Sequence, residues 1–331
     1  MITTTSTLNP ILSGIANQFM RDPSGFVARK LAPPFPAALQ AASYYVFTPE
    51  SMANVPLLKP RAPGSGYPRV MRQLSNDNYF CQNFGLESPV PDEERKKYAA
   101  FFDVDVAAVR LCTDTLTINH EQRVHDAATD PTKVTAAVVQ VPWNDGASNP
   151  KTDVDATKTF IRQNSGMMPN IMVISEPVFF QLQQHPRLLD LFKYTSPGLL
   201  NEDKLANYFG LPTGGLQVAR SVVATNIEGQ QFNPADIWGT DVVLAHAESG
   251  PDLTLPNFMR TFYWTAFSSE ITPATGGTGY PTAAGGGGPE LVSVADYRDE
   301  TKKSDIHRTE HYVTEKIVGA KAAFCLQQVL R

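Results

Sequence analysis

Apolar and polar positions change rhythm along this chain, and each rhythm predicts a different element. From Asp103 or Asp105 up to Asp130-Pro131, Val106, Val109, Thr113, Leu116, His120, Val124 and Ala127 recur at three- and four-residue steps. That spacing predicts one long amphipathic helix. Just before it, Pro91 followed by Asp92-Glu93-Glu94 reads as a helix start, with proline in the first turn and acids at the positive end of the dipole. Residues 152–163 predict a helix closed by Gly166 and Pro169, and Ile171-Met172-Val173-Ile174 a short, wholly buried strand. Glu176-Pro177 opens a helix that His185-Pro186 interrupts. Asn201 is placed to cap a helix over residues 202–209, with Gly210 as its left-handed terminator. Strands are predicted at 216–224, 241–247, 259–267, 291–297 and 311–317, before a final apolar segment at 320–330. The sum is an α+β fold without an internal repeat.

The first ninety or so residues have another character, rich in Pro, Gly, Ser, Asn and aromatics. Pro33-Pro34-Phe35-Pro36 forbids a helix, because proline lacks an amide donor and clashes with the preceding turn. Residues 43–48, Ser-Tyr-Tyr-Val-Phe-Thr, favour a strand. Residues 55–72 carry Pro56, Pro60, Pro63, Gly64, Gly66 and Pro68, with Lys59, Arg61, Arg69 and Arg72 between them. Such a stretch cannot build a core, and loops beyond ~12–15 residues in compact folds are usually functional or disordered. At the N-terminus Leu8, Ile11, Leu12 and Ile15 stand amid Thr, Ser, Asn and Gly, enough for a short amphipathic turn that is marginal without something to pack on. Residues 276–288 read as a flexible glycine-rich loop.

Composition narrows the function classes. The chain has 331 residues with 42% hydrophobic and 18% charged, which suits a folded protein of one large or two modest domains. No apolar run approaches the ~20 residues that cross a bilayer, so no membrane role is expected. The Thr-rich start does not read as a secretory signal. Cys81, Cys112 and Cys325 are an odd, scattered set without a CxxC pair, so neither a disulfide framework nor a zinc ribbon is suggested, and a reducing cytoplasm is the simplest compartment. A net charge of -5 argues against phosphate gripping as the main task and leaves only weak or local nucleic-acid contact.

No constellation rises to a catalytic or cofactor signal. His307 and His311 have the spacing of a helical zinc pair, but Arg308 stands where a zincin has glutamate, and the context is a strand. Solvated polar residues on a strand are the favoured reading. His120 and His125 fall on different helical faces and are expected at the surface or an interface. The glycines at 276–279 and 285–288 lack a following Gly-Lys-Ser/Thr, and no Gly-x-Ser-x-Gly elbow occurs. The cysteines read as small buried hydrophobes. No metal, cofactor or catalytic residue is assigned.

Several segments in order resemble the major capsid proteins of tailed bacteriophages with the Hong Kong 97 fold. Phe26-Val27-Ala28-Arg29-Lys30-Leu31-Ala32-Pro33 followed by Tyr44-Tyr45-Val46-Phe47 is similar to that family's N-terminal arm and the strand before its extended loop. Arg61-Ala62-Pro63-Gly64, Asn78-Tyr79-Phe80-Cys81 and Val90-Pro91-Asp92-Glu93-Glu94-Arg95 resemble the loop's return and the entry to the spine helix. Residues 169–175 with Val178-Phe179, His185-Pro186 and Phe192-Lys193-Tyr194 continue the match, as do residues 205–210, Ile237-Trp238-Gly239 and Phe262-Tyr263-Trp264-Thr265.

The resemblance implies an N-terminal arm and first strand at 1–46 and an extended loop at 47–83. It further implies a peripheral domain with the spine helix at 84–168, an axial domain at 169–264, and a return to the peripheral domain at 265–331. It implies self-assembly into hexamers and pentamers of an icosahedral shell around double-stranded DNA, located in the virion capsid and assembled in the host cytoplasm. Expected partners are further copies of the chain, a portal, a separate scaffolding protein and a decoration protein. Packaged DNA is touched only weakly. Lys59, Arg61, Arg69 and Arg72 of the loop, and Leu8, Ile11, Leu12 and Ile15 of the arm, are the expected inter-subunit contacts. No lysine–asparagine crosslinking motif can be matched. The competing readings are an encapsulin-type compartment, which shares the fold, an α+β hydrolase, and a tail or adhesion module.

Overall fold

In the computed structural model the described residues are 7–8, 25–47, 60, 67, 74–99, 101–195, 200–226, 230–231, 233–250, 257–265 and 292–331. They form two large sheets and two two-stranded ribbons, with helices packed on them. The first sheet runs β1 (Thr7–Leu8), β13 (Ser293–Asp299), β14 (Ser304–Ile317), β12 (Met259–Trp264) and β2 (Pro34–Ala37). Its organising strand is β14, fourteen residues long. β14 pairs antiparallel with β13 along its first half and with β12 along its second, while β5 (Gln82–Pro91) runs antiparallel along Ser304 to Val313. A separate ribbon joins β3 (Ala41–Phe47) to β4 (Leu74–Phe80), in register from Ala41↔Phe80 to Phe47↔Leu74.

The second sheet has the order β6 (Ala136–Val138), β15 (Ala323–Gln327), β11 (Val242–Ala245), β7 (Ile171–Ser175) and β8 (Leu216–Ala219). All five residues of β7 and all four of β11 are buried. The reason is that both faces of this sheet are covered. Met172, Ile174, Val242 and Leu244 join one core with Trp143, Val154, Ile161, Leu182, Leu205 and Phe209. Their alternates Ile171, Val173, Val243 and Ala245 join a second core with Leu31, Val124, Trp238, Phe258 and Cys325. A strand buried on both sides loses the polar alternation of a one-sided strand, which explains the unbroken apolar run at 171–174.

Helices follow their predicted signals closely. α1 (Ala28–Leu31) is a single turn, and α2 (Asp92–Tyr98) begins directly after Pro91, with three acids in its first turn. α3 (Val104–Thr129) is capped by Asp103, whose carboxylate accepts from the backbone N–H of Asp105 and Val106. Its buried stripe is Val109, Thr113, Leu116, His120, Val124 and Ala128, and it packs across β14 and β5. α4 (Pro150–Ser165) ends on Gly166 at φ 72°. α5 (Glu176–Gln184) and α6 (Pro186–Thr195) are separated at His185. α7 (Glu202–Phe209) carries the Asn201 cap, which accepts from Lys204 N–H at 3.0 Å, and ends on Gly210 at φ 66°. No helix among the described residues is long and apolar enough to cross a membrane.

Three expectations need correction. The predicted strand at 216–224 is two strands, β8 and β9 (Val222–Ala224), which pairs with β10 (Pro234–Asp236). The break falls at Arg220, whose N–H donates to Gly25 and whose guanidinium bridges Glu176 at 3.2 Å and Glu202 at 2.6 Å. The strand predicted at 311–317 starts at Ser304. Its first half is masked in the sequence by polar residues that lie inside the fold. His120, expected at the surface or an interface, is buried against Thr261, with Nε2 and the Thr261 hydroxyl 3.3 Å apart.

Candidate functional site

No group of three His, Cys, Asp or Glu side chains among the described residues could hold a metal. All three cysteines are free and buried, and burial pushes the Cys325 thiol up to about 12 and the Cys81 thiol up to about 11. Such thiols are poor nucleophiles at neutral pH. The chemistry that the fold does organise is adhesive. It consists of three polar clusters that lock elements together and of apolar side chains left facing outward.

The first cluster sits where α2 and α3 meet the first sheet. Arg95 reaches Asp305 at 2.6 Å and Asp105 at 2.7 Å, and Arg298 bridges Asp92 at 2.7 Å and Asp305 at 3.1 Å. His307 completes it, with Nδ1 2.7 Å from Asp296 and Nε2 2.9 Å from Asp105. Burial alone would lower the His307 pKa, but the hydrogen bonds to Asp296 and Asp105 outweigh it and hold it above the ordinary imidazole value. The expectation for His307 and His311 is that of solvated polar residues on a strand. Each is only 4% exposed, so the strand assignment stands and the solvation does not.

The second cluster lies further along α3. Arg123 donates to Glu315 through Nε at 3.1 Å and through a terminal nitrogen at 3.0 Å. His120 and His311 are buried beside it. Desolvation, reinforced by the nearby Arg123 and Arg29 charges, holds the His311 pKa at about 3 and pushes that of His120 well down. The third centres on Glu121, whose carboxylate accepts from the backbone N–H of Val27 and Ala28 and from the indole of Trp238. It ties α1 to α3 and to the second core.

The residues expected at inter-subunit contacts fare differently. Lys59, Arg61, Arg69, Arg72, Ile11, Leu12 and Ile15 lie outside the described residues. Leu8 is placed by its backbone, paired with Ala295 at the edge of the first sheet. The ribbon that flanks residues 48–73 is anchored on one ring: Tyr79 stacks on Phe262 at 4.7 Å, and Tyr44 and Phe35 each approach Phe262 at 5.2 Å. A cross-strand bond from Tyr44 Oη to Asp77 at 2.9 Å closes the ribbon. Sequence reasoning missed the outward apolar groups Phe101 (83% exposed) and Leu111 (66% exposed), and Phe180 and Leu191 on α5 and α6. The signal was available for Leu111, which lies off the periodic face of α3.

No family model matches the chain. A major capsid protein of Burkholderia phage BcepMu is 26% identical over 261 residues, covering 77% of this chain and 76% of the relative. A phage-related protein from Bordetella bronchiseptica RB50, known by crystal structure, superposes with a TM-score of 0.71 at 23% identity, over 98% of both chains. A virus-like particle from Pyrococcus furiosus superposes with a TM-score of 0.55 at 11% identity, over 96% of both chains. The chain has the Hong Kong 97-type capsid fold. Within the Hong Kong 97-type fold, the polar clusters on α3 act as internal fasteners. Phe101 and Phe180 remain exposed on its outside.

Proposed function

We propose that this chain is a phage major capsid protein, a structural shell subunit and not an enzyme. The observation that carries the reading is the end-to-end likeness: a phage-related protein shares the fold over 98% of both chains, and a related sequence is a phage major capsid protein. The location that follows is the virion capsid.

In the finer reading, copies assemble into hexamers and pentamers that close an icosahedral shell around double-stranded DNA in the host cytoplasm. A portal, a separate scaffolding protein and a decoration protein serve as partners. The layout is an arm with the first strand at 1–46, an extended loop at 47–83, a peripheral domain at 84–168, an axial domain at 169–264, and a return at 265–331. Two features support parts of it. The ribbon of β3 and β4 leads away from the aromatic cluster toward residues 48–73, and α3 is a single 26-residue helix lying on the first sheet. Residues 27–37 belong to the folded body, since Val27, Ala28, Leu31 and Ala32 are buried. Any mobile arm is therefore drawn from the residues before them. The loop cations Lys59, Arg61, Arg69 and Arg72 then meet acids of a neighbour, and Leu8, Ile11, Leu12 and Ile15 pack on assembly.

Negative-stain microscopy of the protein expressed alone and with its neighbouring genes tests this reading. Closed shells are expected, with DNA inside those from infected cells. Rods or fibres would favour a tail module. Shells filled with enzyme and free of DNA would favour an encapsulin-type compartment.

A further inference from the structure

A cavity of about 390 Å³ opens at the β8 end of the second sheet. Arg29 and Lys30 of α1 line it, with Pro33. The turn Pro212, Thr213, Gly214 and Gly215, together with Asn170, Ile171, Gln217, Ala247 and Ser249, lines the remainder. Among the described residues, no carboxylate lines it.

The amides in the wall are already engaged. Asn170 uses both ends of its side chain on Ala247, at 2.8 Å each. Gln217 donates to the Gly214 carbonyl and accepts from Lys30. Among the described residues, that is the one acceptor Lys30 meets, so its ammonium has donors to spare. Arg29 is the telling residue: it is partly buried, and no hydrogen-bond acceptor or ion-pair partner for it exists among the described residues. Burial lowers its pKa, and among the described residues no anion offsets the effect. A guanidinium withdrawn from water without an acceptor is costly, so an incoming oxyanion would offset that cost.

We propose that this pocket receives a carboxylate side chain from a second copy of the chain. The inference rests on the shell reading, which brings copies into contact. The chain carries 33 acidic against 28 basic residues, so a neighbouring copy is a ready source of carboxylates. Two cationic residues lining one cavity suit a carboxylate by charge, and an Arg fork adds direction. Thr213 and Ser249, which also line the cavity, bring two further hydroxyl donors. Such a contact would fix the register between neighbours more than it would add bulk affinity.

The test uses the whole protein, assembled from a mixture of isotopically light and heavy copies. A zero-length carbodiimide crosslink is formed in particles and mapped by mass spectrometry. A Lys30-to-acid link joining a light copy to a heavy one is expected, and it should be absent from unassembled subunits. Lys30→Glu, and Arg29→Gln in combination with it, should cut particle yield several-fold while the unassembled Lys30→Glu subunit melts as the wild type does. Wild-type particle yield from both variants, with no link between copies, would overturn the proposal and leave the shell reading intact. Saturable binding of inorganic phosphate that depends on Arg29 and persists in particles would also overturn it, by making the pocket a small-anion site. Wild-type protein that forms no particle under any condition would bring down the shell reading and this inference together.

Discussion

The indole N–H of Trp238 donates to a carboxylate oxygen of Glu121 at 2.6 Å, across 117 residues of sequence. The same carboxylate accepts from Val27 N–H at 3.1 Å and Ala28 N–H at 2.9 Å. One buried acid thus stands in for the missing cap of α1 and anchors it to the long helix. Glu121→Ala would strand three buried donors, and each unsatisfied group costs about 1–3 kcal/mol. A loss of roughly 3 kcal/mol or more is expected in urea unfolding of the unassembled subunit. Trp238→Phe removes one donor and one bond, and should cost less. Near-equal stability of Glu121→Ala and wild type would show that the hub carries little of the fold.

The ribbon that leads to residues 48–73 depends on one ring. Phe262 is fully buried and touches Tyr79, Tyr44 and Phe35. Phe262→Ala should destabilise the subunit by about 3–5 kcal/mol, as other aromatic truncations in cores do. Hydrogen exchange should show the β3–β4 amides losing protection more than those of β7 and β11. Uniform loss across both sheets would mean that the ribbon has no stability of its own to lose.

What the sequence made legible is what local chemistry decides. The face of α3, the four-residue apolar core of β7, and the Asn201 and Gly210 ends of α7 are each set by neighbours within a few positions. What it hid is set by partners far along the chain. Glu121 looks like any acid on a helix until Val27, Ala28 and Trp238 converge on it, although its place beside His120 on the buried stripe was a signal. Ser304 to Glu310 looks like a polar loop because its side chains answer Asp105, Asp296, Arg95 and Arg298 from other elements. Arg29 and Lys30 read as part of an arm, and the pocket they line comes from a turn some 180 residues later. The loop and arm contacts, named from resemblance, fall outside the described residues, apart from Leu8.

His307 should leave a signature in the pH dependence of stability. Its folded pKa is raised, because the hydrogen bonds to Asp296 and Asp105 outweigh the burial that would lower it. The stabilisation is therefore complete below the ordinary imidazole value of 6.5 and is lost as pH rises through the raised folded value. A tenfold gain in proton affinity on folding corresponds to about 1.4 kcal/mol. Asp105 works the other way. Burial would raise its pKa, but Arg95 and His307 lower it, so its contribution is lost only as pH falls below the usual carboxylate range. Thermal melts of the unassembled subunit from about pH 6 to 9, the span that brackets imidazole titration, should decline for the wild type and stay flatter for His307→Gln. Parallel curves would show that His307 is not the charged member of the cluster.

The loop cations give a prediction about assembly rather than folding. Residues 60–68 hold few apolar side chains in sequence, and Pro60 and Tyr67, the two described positions among them, are exposed. Deleting them should leave a folded subunit, read as a cooperative melt near that of the wild type, and impair stable shells. Reversing at least two of Lys59, Arg61, Arg69 and Arg72 should give misassembled products or free capsomers, because exposed pairs contribute only ~0.2–1 kcal/mol each yet set register. Normal shells at both low and high salt from the multiple reversal would count against these contacts.

The N-terminal segment supplies the last prediction, and its one placed contact sharpens it. Thr7 and Leu8 pair with Asp296 and Ala295 at the edge of the first sheet. Two residues of ladder, with no further strand outside them among the described residues, amount to a weak hold, since isolated pairings of this length gain little against the entropy of ordering the chain. Asp296 is also the residue that binds His307, so the edge that receives the segment is itself fastened to α3. In the free subunit the amides of Thr7 and Leu8 should exchange orders of magnitude faster than those of β7. In finished particles they should slow, together with residues 11–15, as Ile11, Leu12 and Ile15 find a neighbour to pack on. Alanine at Ile11 and Ile15 together should lower particle stability while leaving the unassembled subunit's melting temperature in place. Strong protection of residues 8–19 already present in the free subunit would overturn this, and would make the segment part of the subunit's own core.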